Sequence, residues 1–364
     1  MPSKFACASG ALLCAGLLQA EVAQAQSSVT LFGIVDVGLT YNSNAGGHRS
    51  WSESNNTGIP SQFGLLGKEN LGGGTSAIFK LATIFKPTNG AINTTGSMFS
   101  QEAWVGLSDT TYGTVKLGRI RQFATSLAPY VAAHGSIFGF HPGNFDQIVQ
   151  SFFNNAISYE SPSYRGLDFG AMYSFGSTAA PVTNTGRAYG FRIGYRNGGF
   201  QAQSTLSNIN GITINPASIG LPYAFGKPAS ATITNGIALD NLLTTASNVS
   251  YQIGKATVYA IYAYTNMRAY HQTERLQTGE VDVTYQITPA LLAGAGYDYS
   301  VGMGGRWHIY NAGLHYSLSA RTTLNLETAI ENVTGQGQHA ALLFLQPSSN
   351  SHQITVTASI VHSF

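Results

Sequence analysis

The sequence predicts an all-β protein, a closed antiparallel transmembrane β-barrel of about 16 strands. Three observations support this fold class. Apolar and polar residues alternate with period two along most of the chain. After residue 26 there is no apolar run of about 18 residues, the length that a membrane-spanning helix requires. Short and long connections also alternate between the predicted strands, which is typical of a barrel with short turns on one rim and long loops on the other.

The alternation is clear in the second half of the chain. Val281, Val283 and Tyr285 fall on one face of an extended strand, and Asp282 and Thr284 fall on the opposite face. A soluble sandwich would bury such an apolar face against a second sheet, whereas a membrane barrel would expose it to lipid. Periodicity alone therefore leaves both folds open.

The lengths of the connections favour the barrel. We predict strands near 28–41, 61–69, 76–86, 97–108, 113–121, 154–161, 165–176, 187–197, 199–208, 247–254, 256–267, 276–288, 290–300, 306–318, 321–332 and 353–364. Tight links such as 109–112 and 196–199 alternate with long ones such as 42–60, 210–246 and 332–352. An even number of strands leaves both chain ends on the short-turn side. A barrel of this size is too wide for its side chains to fill, so the interior should hold water.

The first 25 residues are typical of a secretory signal peptide. Lys4 supplies a positive charge, residues 5–18 are mostly apolar, and Ala-Gln-Ala at 23–25 is a small-residue cleavage site. We therefore predict a signal peptide at 1–25 and an exported barrel domain at 26–364. Both cysteines lie in the first segment, so the mature chain would have no thiol for catalysis or for zinc binding.

Composition excludes several classes of function. Charged residues make up 9% of the chain, the mean hydropathy is +0.02 and the formal net charge is +2. These values fit neither a disordered polyelectrolyte nor a bundle of membrane helices. No basic run is present, so we expect no nucleic-acid partner.

Four motifs and the chain end carry a resemblance to a known family. The motifs are SSVTLFGIVD at 27–36, GKENLGGG at 67–74, WVGLS at 104–108 with GTVKLGR at 113–119, and NAISYESP at 155–162, and the chain ends in IVHSF at 360–364. In order and spacing they resemble the trimeric general-diffusion porins of β-proteobacteria, a Gram-negative outer-membrane family. Between about 198 and 277 only the alternation supports the prediction.

The resemblance implies a homotrimer of sixteen-stranded barrels in the outer membrane. Each barrel would have long extracellular loops, short periplasmic turns and a third long loop, here about Gln122 to Phe153, folded into the lumen. The implied function is passive diffusion of small hydrophilic solutes and ions through a water-filled channel. The implied partners are outer-membrane lipid, lipopolysaccharide and the barrel-assembly machinery, for which Phe364 is the signal. No cofactor is implied.

The resemblance also indicates which residues line the narrowest part of the channel. Arginines line one wall in the family, but the matching positions here are Gln62, Gln101 and Phe152, and the usual wall carboxylate is matched by Ala82. Arg119 is retained.

Further charged residues near these positions complete the candidate constriction. The full candidate set is Arg119, Arg121, Asp146, Gln62, Gln101, Phe152, Lys80 and Lys116. Opposed charges across a narrow bore set the field that selects ions. Because Gln62, Gln101 and Phe152 replace the family's wall arginines, the constriction is unusually uncharged and aromatic. We therefore predict weak ion selectivity. A plainer interpretation of the loop's phenylalanines is that they pack the loop against the barrel wall.

Three rival interpretations compete with the diffusion channel. The phenylalanines of the third loop allow a substrate-specific channel with an aromatic-lined constriction. A hydrolase built on a barrel would need a serine beside a histidine, but the nine histidines show neither metal-ligand spacing nor a nucleophile motif, so we predict no enzyme and no metal site. The third interpretation is a soluble secreted β-protein. Membrane partitioning distinguishes it, because a soluble protein would not be recovered with the membrane fraction.

Overall fold

The computed structural model describes residues 27–364 except 133–134, 177–184, 230–235 and 336–337. The signal peptide predicted at 1–25 lies outside the described residues. Seventeen strand segments form one antiparallel sheet, and two of them are arms of a single strand, so the barrel has sixteen strands. The strands are β1 Ser28–Ala45, β2 His48–Asn55 with Gln62–Gly72, β3 Thr75–Ile84, β4 Glu102–Asp109, β5 Gly113–Arg121, β6 Phe152–Glu160, β7 Leu167–Phe175, β8 Arg187–Asn197, β9 Phe200–Ile209, β10 Asn241–Ile253, β11 Ala256–Ala269, β12 Gln272–Thr288, β13 Leu291–Gly302, β14 Gly305–Ser317, β15 Thr322–Thr334 and β16 His352–Ser363.

The last strand closes the sheet on the first. Residues 34–42 of β1 pair with residues 355–363 of β16 in antiparallel register. Beyond the strand end, Gly33 and Phe364 exchange two backbone hydrogen bonds of 3.0 Å. Closure leaves the sheet without an unpaired edge, which a lipid environment could not satisfy.

The two faces of the sheet differ in the way that a membrane barrel requires. On β12, Val281 is 58% exposed and points outward, whereas Glu280 and Asp282 on either side of it are buried and point inward. A soluble sandwich would show the reverse, with the apolar side chains buried. The predicted closed antiparallel barrel is therefore confirmed.

A break in β2 is organised by one buried carboxylate. Asp36 of β1 accepts hydrogen bonds from the Thr57 hydroxyl (2.6 Å) and from the backbone N–H groups of Gly58 (2.7 Å) and Ile59 (2.8 Å). These groups lie in segment 56–61, between the two arms of β2, where they have no ladder partner. The carboxylate thus replaces the missing strand bonds and fixes the inward bulge of the segment.

The connections segregate between the two rims. The short turns are 73–74, 110–112, 161–166, 198–199, 254–255, 289–290 and 318–321. The opposite rim carries the long loops 85–101, 122–151, 176–186, 210–240 and 335–351 together with three tight hairpins at 46–47, 270–271 and 303–304. We refer to these as the short-turn rim and the long-loop rim.

The first hairpin differs from the sequence-based prediction. The long connection expected at 42–60 is mostly strand, because β1 and β2 continue to pair up to the turn at 46–47. Tyr41 and Trp51 are cross-strand partners in this extension, and their ring centroids lie 5.1 Å apart. Such aromatic pairs stabilise a ladder, which accounts for the added length.

The third connection on the long-loop rim, residues 122–151, lies inside the barrel, and we call it L3. It contains three short 3-10 helices, Phe123–Tyr130, Ile137–Gly139 and Pro142–Asn144, and a fourth, Pro216–Ile219, lies in loop 210–240. Leu127 and Val131 of L3 pack on the inward-facing Ala246, Ile261 and Ala263 of β10 and β11. No helix in the described parts of the chain is long and apolar enough to cross a membrane.

Candidate pore constriction

L3 contributes to the lining of two cavities. A cavity of about 490 Å³ lies toward the long-loop rim. Another, of about 270 Å³, lies toward the short-turn ends of β14 to β16. The larger is lined by Glu53, Asn55, Lys86, Ile137, Phe138 and Phe344, and the smaller by Ile59, Pro129, Phe140, His315, Asn325 and Glu327. Because L3 also packs on inward-facing residues of β10 and β11, it occupies part of the interior and narrows it.

The tip of L3 is fixed by hydrogen bonds to three parts of the barrel. The N–H of Ile137 donates to the carbonyl of Thr57 in the β2 break (2.9 Å). The Asn311 side chain of β14 donates to the carbonyl of Gly139 (3.0 Å). The N–H of Leu343, in loop 335–351, donates to the carbonyl of Phe138 (2.9 Å). These contacts place the tip across the lumen and against the opposite wall.

The phenylalanines around L3 mostly serve packing. Phe138 is buried against Ile309, Ala329 and Leu342. Phe145 and Phe153 are buried in the largest apolar cluster. A ring that is enclosed by other side chains cannot offer its face to a passing solute, so the packing interpretation accounts for these residues.

Lys80, Glu102 and Arg121 form a charged triangle on β3, β4 and β5. The Lys80 ammonium lies 2.6 Å from Glu102 Oε2, and the Arg121 guanidinium lies 3.5 Å from the same oxygen. The other oxygen, Glu102 Oε1, accepts a hydrogen bond of 3.0 Å from the Trp104 indole. The carboxylate is therefore shared by two cations and neutralises one of them.

Arg119 and Arg121 flank the ring of Phe152. Their guanidinium carbons lie 4.9 and 5.6 Å from the ring centroid, in the range of a cation–π contact. Arg119 also donates to the carbonyl of Ser100 (2.8 Å) and to the side-chain oxygen of Asn154. Among the described residues it has no carboxylate within ion-pair distance. The charge of Arg119 is thus oriented by neutral groups and remains uncompensated.

A second row of charges follows toward the short-turn rim. Lys116 pairs with Glu160 at 2.6 Å and lies over the Trp104 ring at 5.1 Å. Arg192 of β8 pairs with Asp168 at 2.5 Å and approaches Glu160 at 3.9 Å. Lys80 and Lys116 are therefore both paired with carboxylates.

Gln62 and Gln101 were expected to line the constriction, but their side-chain oxygens point into the protein interior. Gln101 is 1% exposed, so it contributes no polar surface to a pore. The side-chain oxygens of Gln62 and Gln101 are both buried and accept no hydrogen bond within the described parts of the chain. The two amide oxygens are therefore interior polar groups and are not part of the pore lining.

Asp146 also lies away from the charged wall. It is 4% exposed, and its Oδ2 is hydrogen-bonded to His141 Nδ1 within L3. The other ring nitrogen, Nε2, lies 2.8 Å from Glu280 on β12 and 3.7 Å from Asp298 on β13. Burial lowers the pKa of His141, but the surrounding carboxylates, Asp146 first, outweigh it and raise the pKa well above its ordinary value. Asp146 therefore belongs to the attachment of L3 and does not face Arg119 across a bore.

Sequence reasoning missed the acidic partners on the wall and the cluster around His141. Glu102 could have been found, because it lies two residues before Trp104 and thus on the same strand face. The contact between His141 and Glu280 joins residues 139 positions apart. Neither spacing nor periodicity could reveal it without the path of L3.

Comparison with known proteins matches this chain to outer-membrane porins. A family profile described as Gram-negative porin matches residues 8–336. An outer membrane porin protein of Bordetella pertussis is 30% identical over 238 residues, which cover 58% of this chain and 58% of that protein. The chain spans less than two thirds of the length of the curated relatives it matches.

Solved structures share the fold. The anion-selective porin from Comamonas acidovorans aligns with a TM-score of 0.77 and 23% identity, over 93% of this chain and all of that one. The trimer form of OmpT from Vibrio cholerae, folded in vitro, aligns with a TM-score of 0.68 and 13% identity, over 93% of this chain and 99% of that one. At these identities the likeness concerns the barrel architecture.

Proposed function

Because the chain belongs to the Gram-negative porin family, we propose that it forms a water-filled channel for passive diffusion of small hydrophilic solutes and ions across the outer membrane. One observation carries the proposal. L3 lies inside a closed barrel whose inward face is polar, and its side chains help to line a cavity toward each rim. Passage through such an interior requires no bond-making step, so no catalytic residue is assigned.

Ion selectivity is weak and leans toward anions. The wall from Lys80 to Arg192 carries five basic side chains and three carboxylates, and every carboxylate is in an ion pair. Opposite charges within about 4 Å largely cancel at a distance, so the wall keeps an excess of two positive charges, one from the unpaired Arg119 and one from the Lys80–Arg121 pair that shares Glu102. The Phe152 ring attracts the Arg119 guanidinium but carries no net charge, so it does not neutralise it.

The reversal potential in a salt gradient tests this selectivity. In planar bilayers with a tenfold KCl gradient, we expect a small potential of the sign for anions, far from the limit of a perfectly selective channel. Arg119→Gln should move the potential toward zero. Lys255→Gln is the matched control, because Lys255 is exposed in the short turn 254–255. Strong selectivity for either sign, or equal potentials for the two variants, would contradict the proposal.

The functional unit is a homotrimer in contact with outer-membrane lipid and lipopolysaccharide. Large apolar side chains such as Leu31, Leu39 and Trp51 are exposed on the outer face of β1 and β2 and need a lipid or protein neighbour. Phe364 is the assembly signal for the barrel-assembly machinery, and its position beside Gly33 at the closing seam supports that role. A trimer band on unheated gels that collapses to the monomer on boiling is the expected result. A monomer before heating would refute the trimer.

A further inference from the structure

A buried cluster of four titratable side chains joins L3 to the barrel wall. His141 and Asp146 come from L3, and Glu280 and Asp298 are directly opposed partners on β12 and β13. All four are almost completely buried. The cluster lies apart from the ion pairs of the proposed pore wall, so the function proposed above does not account for it.

The imidazole of His141 is oriented as in a metal site. Its Nδ1 is hydrogen-bonded to Asp146, and its Nε2 faces Glu280 Oε2 at 2.8 Å and Asp298 Oδ2 at 3.7 Å. In metal-binding proteins, a carboxylate commonly holds one ring nitrogen of a ligand histidine while the other nitrogen coordinates the ion. Asp146 is in the position of that orienting carboxylate.

We propose that His141 Nε2, Glu280 Oε2 and Asp298 Oδ2 form a binding site for a divalent transition-metal ion such as Zn²⁺. The three ligand atoms lie within 4.8 Å of one another. Nitrogen and oxygen ligands bound to zinc at about 2.0–2.2 Å are roughly 3–3.5 Å apart. The distances of 2.8 and 3.7 Å from Nε2 lie on either side of that range, so small side-chain rotations suffice to close the site.

An independent observation points to a missing positive partner. Asp298 Oδ2 is buried and accepts no hydrogen bond from any described residue, although Oδ1 of the same group accepts one from the Ser300 hydroxyl (3.0 Å). Glu280 is held in the same way, because its Oε1 accepts a bond of 2.5 Å from the N–H of Ala132. One oxygen of each carboxylate is thus anchored, and the other is directed at the imidazole. Burying a carboxylate oxygen without a partner costs folding free energy, and a bound cation would serve as a partner for both Glu280 Oε2 and Asp298 Oδ2.

The charge and type of the ligands also favour such an ion. Within the described ranges, no lysine or arginine lies at ion-pair distance from Asp146, Glu280 or Asp298. A single imidazolium cannot balance three carboxylates, whereas a divalent ion replacing its Nε2 proton compensates more of the negative charge. A set of one imidazole and two carboxylates suits zinc-like ions better than Ca²⁺ or Mg²⁺, which prefer all-oxygen sites. The bound ion would fasten L3 to β12 and β13.

Zinc titration of the purified, folded full-length porin tests the site. After treatment with a chelator, the protein is titrated with Zn²⁺ and its metal content is measured after dialysis. We expect one Zn²⁺ per protomer. His141→Gln should weaken binding at least 100-fold, and Asp146→Asn, which removes the orienting carboxylate, by about 10- to 100-fold. His315→Gln is the control, because His315 lies beside Glu327 on another part of the wall and should leave the affinity unchanged.

The proposal is overturned by either of two results. One is folded wild-type protein that retains no Zn²⁺, and the other is a His141→Gln variant that binds as tightly as the wild type. Should the variant fail to fold, Co²⁺ titration of the wild type decides instead, since a site with a nitrogen ligand gives visible absorption bands that Zn²⁺ abolishes by competition. Absence of such bands in the folded protein also refutes the site. These readouts are independent of channel conductance.

Discussion

Replacing Asp36 should destabilise the barrel and loosen the constriction together. Asp36→Ala removes the acceptor of three hydrogen bonds of 2.6 to 2.8 Å and leaves the donors of Thr57, Gly58 and Ile59 without their partner. A hydrogen bond to a charged group contributes about 1.5–3 kcal/mol. Because the three bonds share one acceptor and do not add independently, we expect a loss of about 3–5 kcal/mol in the free energy of unfolding.

The effect should reach the pore because the β2 break supports L3. The carbonyl of Thr57 accepts a bond from the N–H of Ile137 at the tip of the loop. When segment 56–61 is released, we therefore expect a larger and noisier single-channel conductance. Asp36→Asn should have a smaller effect, since an amide oxygen can still face the two N–H groups.

Two assays measure this prediction. Urea unfolding of the refolded protein in lipid vesicles gives the stability, and planar bilayers give the conductance. Asp240→Asn is the control, because Asp240 is exposed in the long loop just before β10. Unchanged stability in Asp36→Ala would refute the role of the carboxylate in the break. Lost stability with an unchanged pore would refute the coupling to L3.

Three further predictions follow from packing and processing. Phe138→Ala should cost about 3–5 kcal/mol, because it empties a buried site, whereas Phe344→Ala, at a ring that is 61% exposed, should cost little; vesicle unfolding curves compare them, and equal costs would contradict the packing role. Gly33→Ala places a Cβ against the ring of the C-terminal phenylalanine and should slow barrel assembly, whereas Gly279→Ala, with open space around it, should not; folding gels followed over time measure the rates, and matching rates would count against the seam. Mass spectrometry of the exported protein should find an N-terminus at Gln26, and a retained leader would contradict cleavage.

The strands could be predicted because lipid imposes a strict pattern on them. Val281 and Glu280 differ in polarity because one contacts lipid and the other faces the interior, so period two is visible in the sequence. The break in β2 was harder to predict. Residues 54–61 contain turn-forming Asn, Gly and Pro, but the same residues fit the long loop that was expected there. Only the position of Asp36 shows that the segment is a supported bulge inside a strand.

The candidate constriction was predicted less completely. Arg119, Arg121 and Phe152 do come together, because they lie on neighbouring strands in register. The sequence did not show that Asp146 turns away to His141, since that contact depends on the fold of L3. The pairing of Lys80 and Lys116 with Glu102 and Glu160 depends on strand register, which period two leaves undetermined by two residues or more. Side chains brought together by a loop therefore required the structure.

The single-channel conductance of the purified protein, measured in planar bilayers over a range of KCl concentrations, tests the wet, loop-narrowed interior most directly. A diffusion channel predicts stable conductance steps that rise in proportion to the salt concentration. Adding sugars or other small solutes should not make the conductance reach a plateau. Bilayers that stay sealed, or conductance that reaches a plateau with one solute, would contradict it.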